Sequence, residues 1–318
     1  MTRYVLGRIG FMVVTLFIIA TLTFFLMQTL PGSPFNNEDK LSDTQKERLY
    51  AKYGLDQPVP VQYVKYLGAM LKGDFGESYQ SDGRPVTRMI TERIGPSAYI
   101  GGQAMLFGTF LGLILGIMSA LRHNTFADYG VMIFAVVGTS IPSFVFAAML
   151  QLYFGVYLEI LPVALWNSDA SIFQWEYLKY TILPSLALAV GVIAGIARFM
   201  RTEMLEVLGQ DYIVTAHAKG LSKGTVIVKH SIRNALIPII TIAGPTTLAI
   251  MTGSLVIEKI FAVPGLGRLF VDSIVTNDYT VIMGLTMFYS ALFILVILIV
   301  DLLYGVIDPR IRIAGGKN

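Results

Sequence analysis

The chain has 318 residues, 54% of them hydrophobic and only 14% charged, with a formal net charge of +3, no Cys and three His. Soluble domains carry about 25% charged residues, so the composition excludes an ordinary soluble protein and points to an all-α, multi-pass integral membrane protein. Without Cys no disulfide can brace a loop, which leaves the compartment undecided.

Asp, Glu, Lys, Arg and His are absent from 9–37, 94–121, 129–158, 180–197, 234–257 and 279–300. About 20 apolar residues cross the hydrocarbon layer, so the pattern predicts six transmembrane helices. A large soluble helical core would need polar faces that these windows lack. The first window follows Arg3 and Arg8, as a signal peptide would, but it is too long for one and no small-x-small cleavage site follows. It is read as a retained span within 1–30.

Residues 31–96 read as a long outer loop with short helices. Ser42 to Gln45 has the pattern of a capping box, Gly54 suits a helix end, Pro58 and Pro60 break the chain, Val61 to Leu71 is helical, and Pro85 starts a third helix. The remaining five spans form a core over 97–310, followed by a tail over 311–318. In span two, Gly108, Gly112 and Gly116 lie on one face, and Gly191 and Gly195 repeat the idea in span four. Such faces allow helices to approach closely, either within this subunit or at a seam with a second one. Pro142, Pro184 and Pro245 each free a backbone carbonyl and can shape a cavity. Gln103, Gly138, Thr139, Ser140, Gln151, Thr246 and Thr247 are modestly polar within the spans and would line a pathway if the spans enclose one. Trp166 and Trp175, between spans three and four, fit an outer aromatic belt.

The most informative stretch lies between spans four and five, with the loop proper at 203–238. Residues 198 to 238 carry Arg198, Arg201, Glu203, Glu206, Asp211, Lys219, Lys223, Lys229 and Arg233. Each charge at the centre of a bilayer helix costs about 3 kcal/mol, so this segment belongs in water. Asp211 can cap a short helix, Ile213, Ala216 and Gly220 share its small-residue face, Gly220 suits a left-handed end, and Ser222 can cap a second helix reaching Asn234. Such a pair is either a knob for another protein's groove or an ordinary solvated loop. Between spans five and six, Pro264-Gly265-Leu266-Gly267 reads as a tight turn.

Lys and Arg in the short loops set the orientation. Arg3, Arg8, Arg122, the six in the charged elbow, Arg310, Arg312 and Lys317 fall on one side, against Lys179, Lys259 and Arg268 on the other. Both termini and the elbow are therefore expected in the cytoplasm. No G-x-x-x-x-G-K-[ST] loop occurs, so the chain does not hydrolyse ATP in the P-loop manner. His123, His217 and His230 fall in loops and read as solvated or interfacial; no metal site, catalytic group or cofactor is expected.

Asp211-Tyr212-Ile213, Thr215-Ala216, Gly220-Leu221-Ser222, Lys229-His230, Arg233-Asn234-Ala235-Leu236 and Ile237-Pro238 resemble the cytoplasmic EAA loop of ABC-importer permeases, which implies that Asp211, Tyr212, Ile213, Thr215, Ala216, His217, Lys219, Gly220, Leu221 and Ser222 couple to an ATPase subunit. Further landmarks occur in family order from about residue 3 to 312. They are Pro31-Gly32-Ser33-Pro34, Tyr53-Gly54-Leu55-Asp56, Gly73-Asp74-Phe75-Gly76, Pro85-Val86, the Pro264 to Gly267 outer loop, and Asp301, Tyr304 and Asp308-Pro309-Arg310. The chain departs from the usual pattern at Thr215 (first Ala), at Ser33 (Asp), at Thr280 (Pro), and in the late Leu236-Ile237-Pro238. The chain is thereby similar to the B-type permease subunit of dipeptide and oligopeptide importers in the peptide/nickel branch. The resemblance implies the type I permease fold and a bacterial plasma membrane. Its implied partners are a second homologous permease, most simply a heterodimer, P-loop ATPases, an extracellular substrate-binding protein and a peptide substrate, within membrane lipid and with no nucleic acid. It leaves the cargo open among peptides, nickel chelates, glutathione and sugars. Two other classes stand beside it: an ion-coupled secondary transporter or channel, which ordinarily keeps an ionisable residue near mid-membrane, and a membrane scaffold, which would not explain the patterned elbow.

Overall fold

A computed structural model of the protein describes residues 2–30, 33–35, 41–81, 83–167, 171–251 and 255–307. Among them the regular elements are helices, and the only β pairing is the isolated bridge between Glu77 and Pro85. A helix satisfies its backbone groups internally, which hydrocarbon demands of any spanning segment. Helices α1 (Thr2–Thr29), α4 (Val86–Leu121), α7 (Trp175–Leu208) and α13 (Tyr279–Ile307) each contain a stretch long and apolar enough to cross a bilayer.

The third window is bent. Helix α5 (Phe126–Ser140) and the pair formed by α6 (Ser143–Leu150) and a π-helical segment (Gln151–Tyr157) meet at 102°. Ile141 adopts φ −86°, ψ 126°, the extended state that a following proline favours, and Pro142 opens α6. Pro184, by contrast, lies within a continuous α7. The fifth window is helical in α10 (Arg233–Met251) and again in the short α11 (Leu255–Ile260); residues 252–254 between them lie outside the described residues. So do Pro31 and Gly32, the closing motif at 308–310, the tail at 311–318, and the side chains of Pro245, Asp301 and Tyr304.

The chain divides into two compact units, one built from Met1–Gly95 and Pro264–Leu298, the other from Pro96–Val263 and Ile299–Asn318. In the first unit the Ser42–Gln45 capping box opens α2 (Asp43–Tyr53), which Gly54 ends at φ 67°. Helix α3 (Val59–Met70) starts two residues before the expected Val61, because Pro60 is accepted in a first turn whose N–H groups have no helical partner. The helix expected after Pro85 is the beginning of α4, which continues without a break to Leu121. Asp278, 2% exposed, ties the 77–81 segment to the head of α13. Its carboxylate accepts from Ser78 Oγ, from Tyr79 N at 3.1 Å and from Thr280 Oγ1 at 3.0 Å. Burial, then the nearby Asp278 charge, pushes the Tyr79 phenol up, so it stays neutral where it packs on Phe35 and Tyr53.

Pro264 to Gly267 is not the tight turn expected. The reversal comes earlier, at Ala262 (φ 55°), with Val263 N donating to Glu258 O at 2.9 Å. Gly265 is extended (φ −98°, ψ 180°) and caps α12 (Leu266–Val275), so Leu266 and Gly267 are helical.

In the second unit α4 lies directly on α7. A Cβ on Gly108 would stand 2.6 Å from Val192 Cβ, on Gly112 2.7 Å from Ile196 Cβ, and on Gly116 2.6 Å from both Ala197 O and Met200 Cβ. Gly138 of α5 likewise meets Ala194 Cβ at 2.9 Å. The Gly108 face therefore seats α7 within this chain, whereas Gly191 and Gly195 have nothing within 4 Å. Trp166 stacks edge-on against Tyr177 at 5.0 Å, while Trp175 remains 57% exposed.

Gly116→Val should force α4 off α7 and cost about 1–3 kcal/mol, lowering the aggregation temperature of the detergent-solubilised protein. Gly191→Ala, with open space around it, should leave that temperature unchanged; equal behaviour of the two variants would contradict the packing described.

Candidate functional site

The elbow after α7 is folded. Gln210, extended at φ −81°, ψ 147°, is the cap residue of α8 (Asp211–Ala218) and makes no side-chain cap bond. Asp211, expected as the cap, is instead the first helical residue, where a negative charge still complements the helix dipole. Gly220 takes φ 76°, its N–H reaching His217 O at 2.9 Å while Leu221 N reaches Ala216 O at 3.3 Å, the paired bonds of a glycine-ended helix. Ser222 caps α9 (Lys223–Thr225) by accepting from Thr225 N, and the chain continues through a π-helical segment (Val226–Ile232) into α10.

The elbow sorts its own residues. Ile213 (3% exposed) and Ala216 (6%) pack on Val226 and against Val207 of α7. The small face read as a knob for a partner thus anchors α8 to its own chain, because Val207 and Val226 flank it. Gly220 is exposed and does not join it. Asp211, Tyr212, Thr215, His217, Lys219, Leu221 and Ser222 are exposed, as is Val214. Tyr212, Val214 and Leu221 are apolar groups 42%, 64% and 38% exposed on an otherwise charged segment. Asn234 Nδ2 donates to Tyr212 OH at 3.0 Å, steadying the ring.

A second cluster lies one to two turns back along α7. Asp128, in the first turn of α5 and 1% exposed, accepts a two-pronged bond from Arg201: Nε to Oδ1 at 2.6 Å and Nη2 to Oδ2 at 2.8 Å. Ser119 Oγ of α4 also donates to Oδ1, and Asn124 N donates to Oδ2 at 3.0 Å. Asn124 provides that N–H from φ 60°, a left-handed state that Asn tolerates. His123 Nδ1 stands 3.0 Å from Arg201 Nη2 and 3.2 Å from Asp128 Oδ2. It can accept from the first or donate to the second, not both at once. Removing one member of a buried pair like Arg201–Asp128 costs about 3–5 kcal/mol, because the other is left buried and charged. Sequence reading missed Asp128, which sits one residue outside an apolar window and looks like loop charge; its partner is 73 positions away.

The candidate pathway residues are bonded within the chain. Gln103 Oε1 accepts from Ser185 Oγ at 2.8 Å, and Gln151 Nε2 donates to Val163 O at 2.7 Å and Ile260 O at 3.2 Å. Thr139, Thr246 and Thr247 donate to carbonyls one turn back on their own helices, and Ser140 is exposed at the last position before the bend. A further acid, Glu258, is fully buried and accepts from Ser97 Oγ at 2.6 Å. Among the described residues no His, Cys, Asp and Glu group could hold a metal ion.

Apolar spans on both sides of a folded polar elbow define a multi-pass membrane protein. Residues 112–313 match the family described as binding-protein-dependent transport system inner membrane component, and residues 1–94 match the N-terminal family of the same systems' membrane component. The chain belongs to this family. It is 46% identical over 313 residues to the dipeptide transport system permease protein DppB of Bacillus subtilis, covering 98% of this chain and 99% of that one. It is 43% identical over 313 residues to DppB of Lactococcus lactis subsp. cremoris, and 41% identical over 312 residues to the oligopeptide transport system permease protein OppB of Escherichia coli K12. Each alignment covers 98% of this chain and the whole of the relative.

Gly220 has open space around it but a positive φ, so a side chain there costs about 1 kcal/mol of backbone strain. Gly220→Val should therefore speed amide exchange in α8 about fivefold while the global unfolding midpoint stays put; a fall in the midpoint would place Gly220 in the core instead.

Proposed function

We propose that the chain is the membrane-embedded permease subunit of an ATP-binding-cassette importer for peptides, and that it moves cargo without making or breaking covalent bonds. The observation that carries this reading is the exposure of Tyr212 and Val214 on α8, and of Leu221 just past its glycine-ended terminus, while Ile213 and Ala216 hold the helix on Val226 and Val207. Exposed apolar groups on a short, rigidly held helix fit a groove of a P-loop ATPase subunit. Asp211, Thr215, His217, Lys219 and Ser222 form the polar rim of that contact, with Gly220 setting its end.

Closure of two ATPases around nucleotide would displace α8, and Val207 would pass the displacement to α7. Spans of this chain and of a second, homologous permease would then rock as rigid bodies, opening the pathway to one side and then the other. The peptide cargo follows from the names of the relatives, a dipeptide and an oligopeptide transport permease. An extracellular binding protein would deliver it to the outer loops, which the buried Gly265, Leu266 and Gly267 support from beneath. Gln103, Ser140, Gln151, Thr246 and Thr247 are proposed along the pathway. Both termini and the elbow face the cytoplasm in this reading, with the permease in a bacterial plasma membrane.

In proteoliposomes, a labelled dipeptide should accumulate with ATP only when the second permease, the ATPases and the binding protein are all present; accumulation by this chain alone would refute the importer reading. Because the chain lacks Cys, His217→Cys can be labelled singly in cells lacking the ATPases. A membrane-impermeant maleimide should react in inside-out vesicles and not in intact cells; the reverse result would invert the topology.

A further inference from the structure

We propose that Arg201 and Asp128 are a positioning pair that locks the α4–α5 turn to α7, so that the bent third span moves with the elbow. The inference rests on the importer reading for its purpose, but on the geometry of the second unit for its content. Val207, which anchors α8, and Arg201 lie on the same helix six residues apart, about 9 Å of rise. A push delivered to α8 therefore reaches Arg201 through an unbroken helix. From there the fork onto Asp128 carries it to α5, and Ser119 on the same carboxylate carries it to α4.

The surroundings are built for this contact. At Gly116, one turn before Ser119, the α4 backbone comes so close to α7 that an added Cβ would be 3.2 Å from Arg201 N. Ser119 and Asp128 are essentially inaccessible to solvent, and Arg201 is one-fifth exposed. Two parallel N–H···O bonds resist both sliding and rotation, which an apolar contact of the same area would allow. The stakes are set by the bend: α5 leads to the 102° corner at Ile141–Pro142, so a small rotation of α5 displaces α6 and Gln151 beyond it. Without the fork, only apolar packing, such as that of Gly138 on Ala194, would couple α5 to α7.

The test uses the full complex in proteoliposomes, with a labelled dipeptide as cargo, and spin labels at Ile133→Cys on α5 and Glu206→Cys on α7, both exposed positions. Arg201→Lys keeps the charge but not the fork. The neutral pair Asp128→Asn with Arg201→Gln keeps the shape without charge and serves if the single variant assembles poorly. With the native pair, the 133–206 distance distribution should be single and narrow with or without ATP. With either variant it should broaden or split, and dipeptide taken up per ATP hydrolysed should fall at least fivefold while ATP hydrolysis stays within twofold. Distances that remain narrow in both variants, or uptake and hydrolysis that decline in step, would overturn the lock. If the native complex takes up no dipeptide, the importer reading fails, whereas the distance measurement still decides whether the pair holds α5 to α7.

Discussion

Hydrocarbon does not solvate charge, and it offers no partner to a backbone N–H or C=O. Almost everything in this chain follows from that. The charge-free windows become helices because nothing else closes their hydrogen bonds, and the charged stretches collect at their ends. Where an acid does become buried it is provided for: Asp128 has a guanidinium, a hydroxyl and a backbone N–H, and Glu258 has Ser97. Neither lies inside an apolar window; each begins or ends one.

Within the layer, apolar burial alone cannot choose how helices pack, since lipid is as apolar as Leu. The second unit uses two other means. Glycines at 108, 112 and 116 remove the side chains that would hold α4 away from α7, and the Asp128 cluster fixes the two helices and α5 at one end. Close approach provides contact and the ion pair provides register. The elbow uses the same division of labour, with Ile213 and Ala216 for contact and the Gly220 and Ser222 caps for direction.

Local signals in the sequence were legible wherever a few neighbouring residues suffice. The Ser42–Gln45 box, the left-handed Gly54 and Gly220 and the Ser222 cap are decided by chemistry within four positions, and all are present. Two local readings failed for equally local reasons. Pro60 was taken as a break although a first helical turn accepts proline, and Pro264 to Gly267 was taken as a turn although Ala262, with no glycine to announce it, makes the reversal. Asp211, read as the cap, is the first helical residue, and Gln210 before it holds the cap position.

The sequence by itself determined that this is an all-helical membrane protein, where its apolar segments lie, and that a patterned, charged elbow separates two of them, because the cost of burying charge is a property of each residue. Only the tertiary structure decided that Ile213 and Ala216 face inward while Tyr212, Val214 and Leu221 face out, and that Gly108 to Gly116 pack within the chain while Gly191 and Gly195 do not. It alone joined Asp128 to Arg201. Those outcomes depend on which surface lies opposite, and a helix face carries no record of its neighbour until the chain has folded.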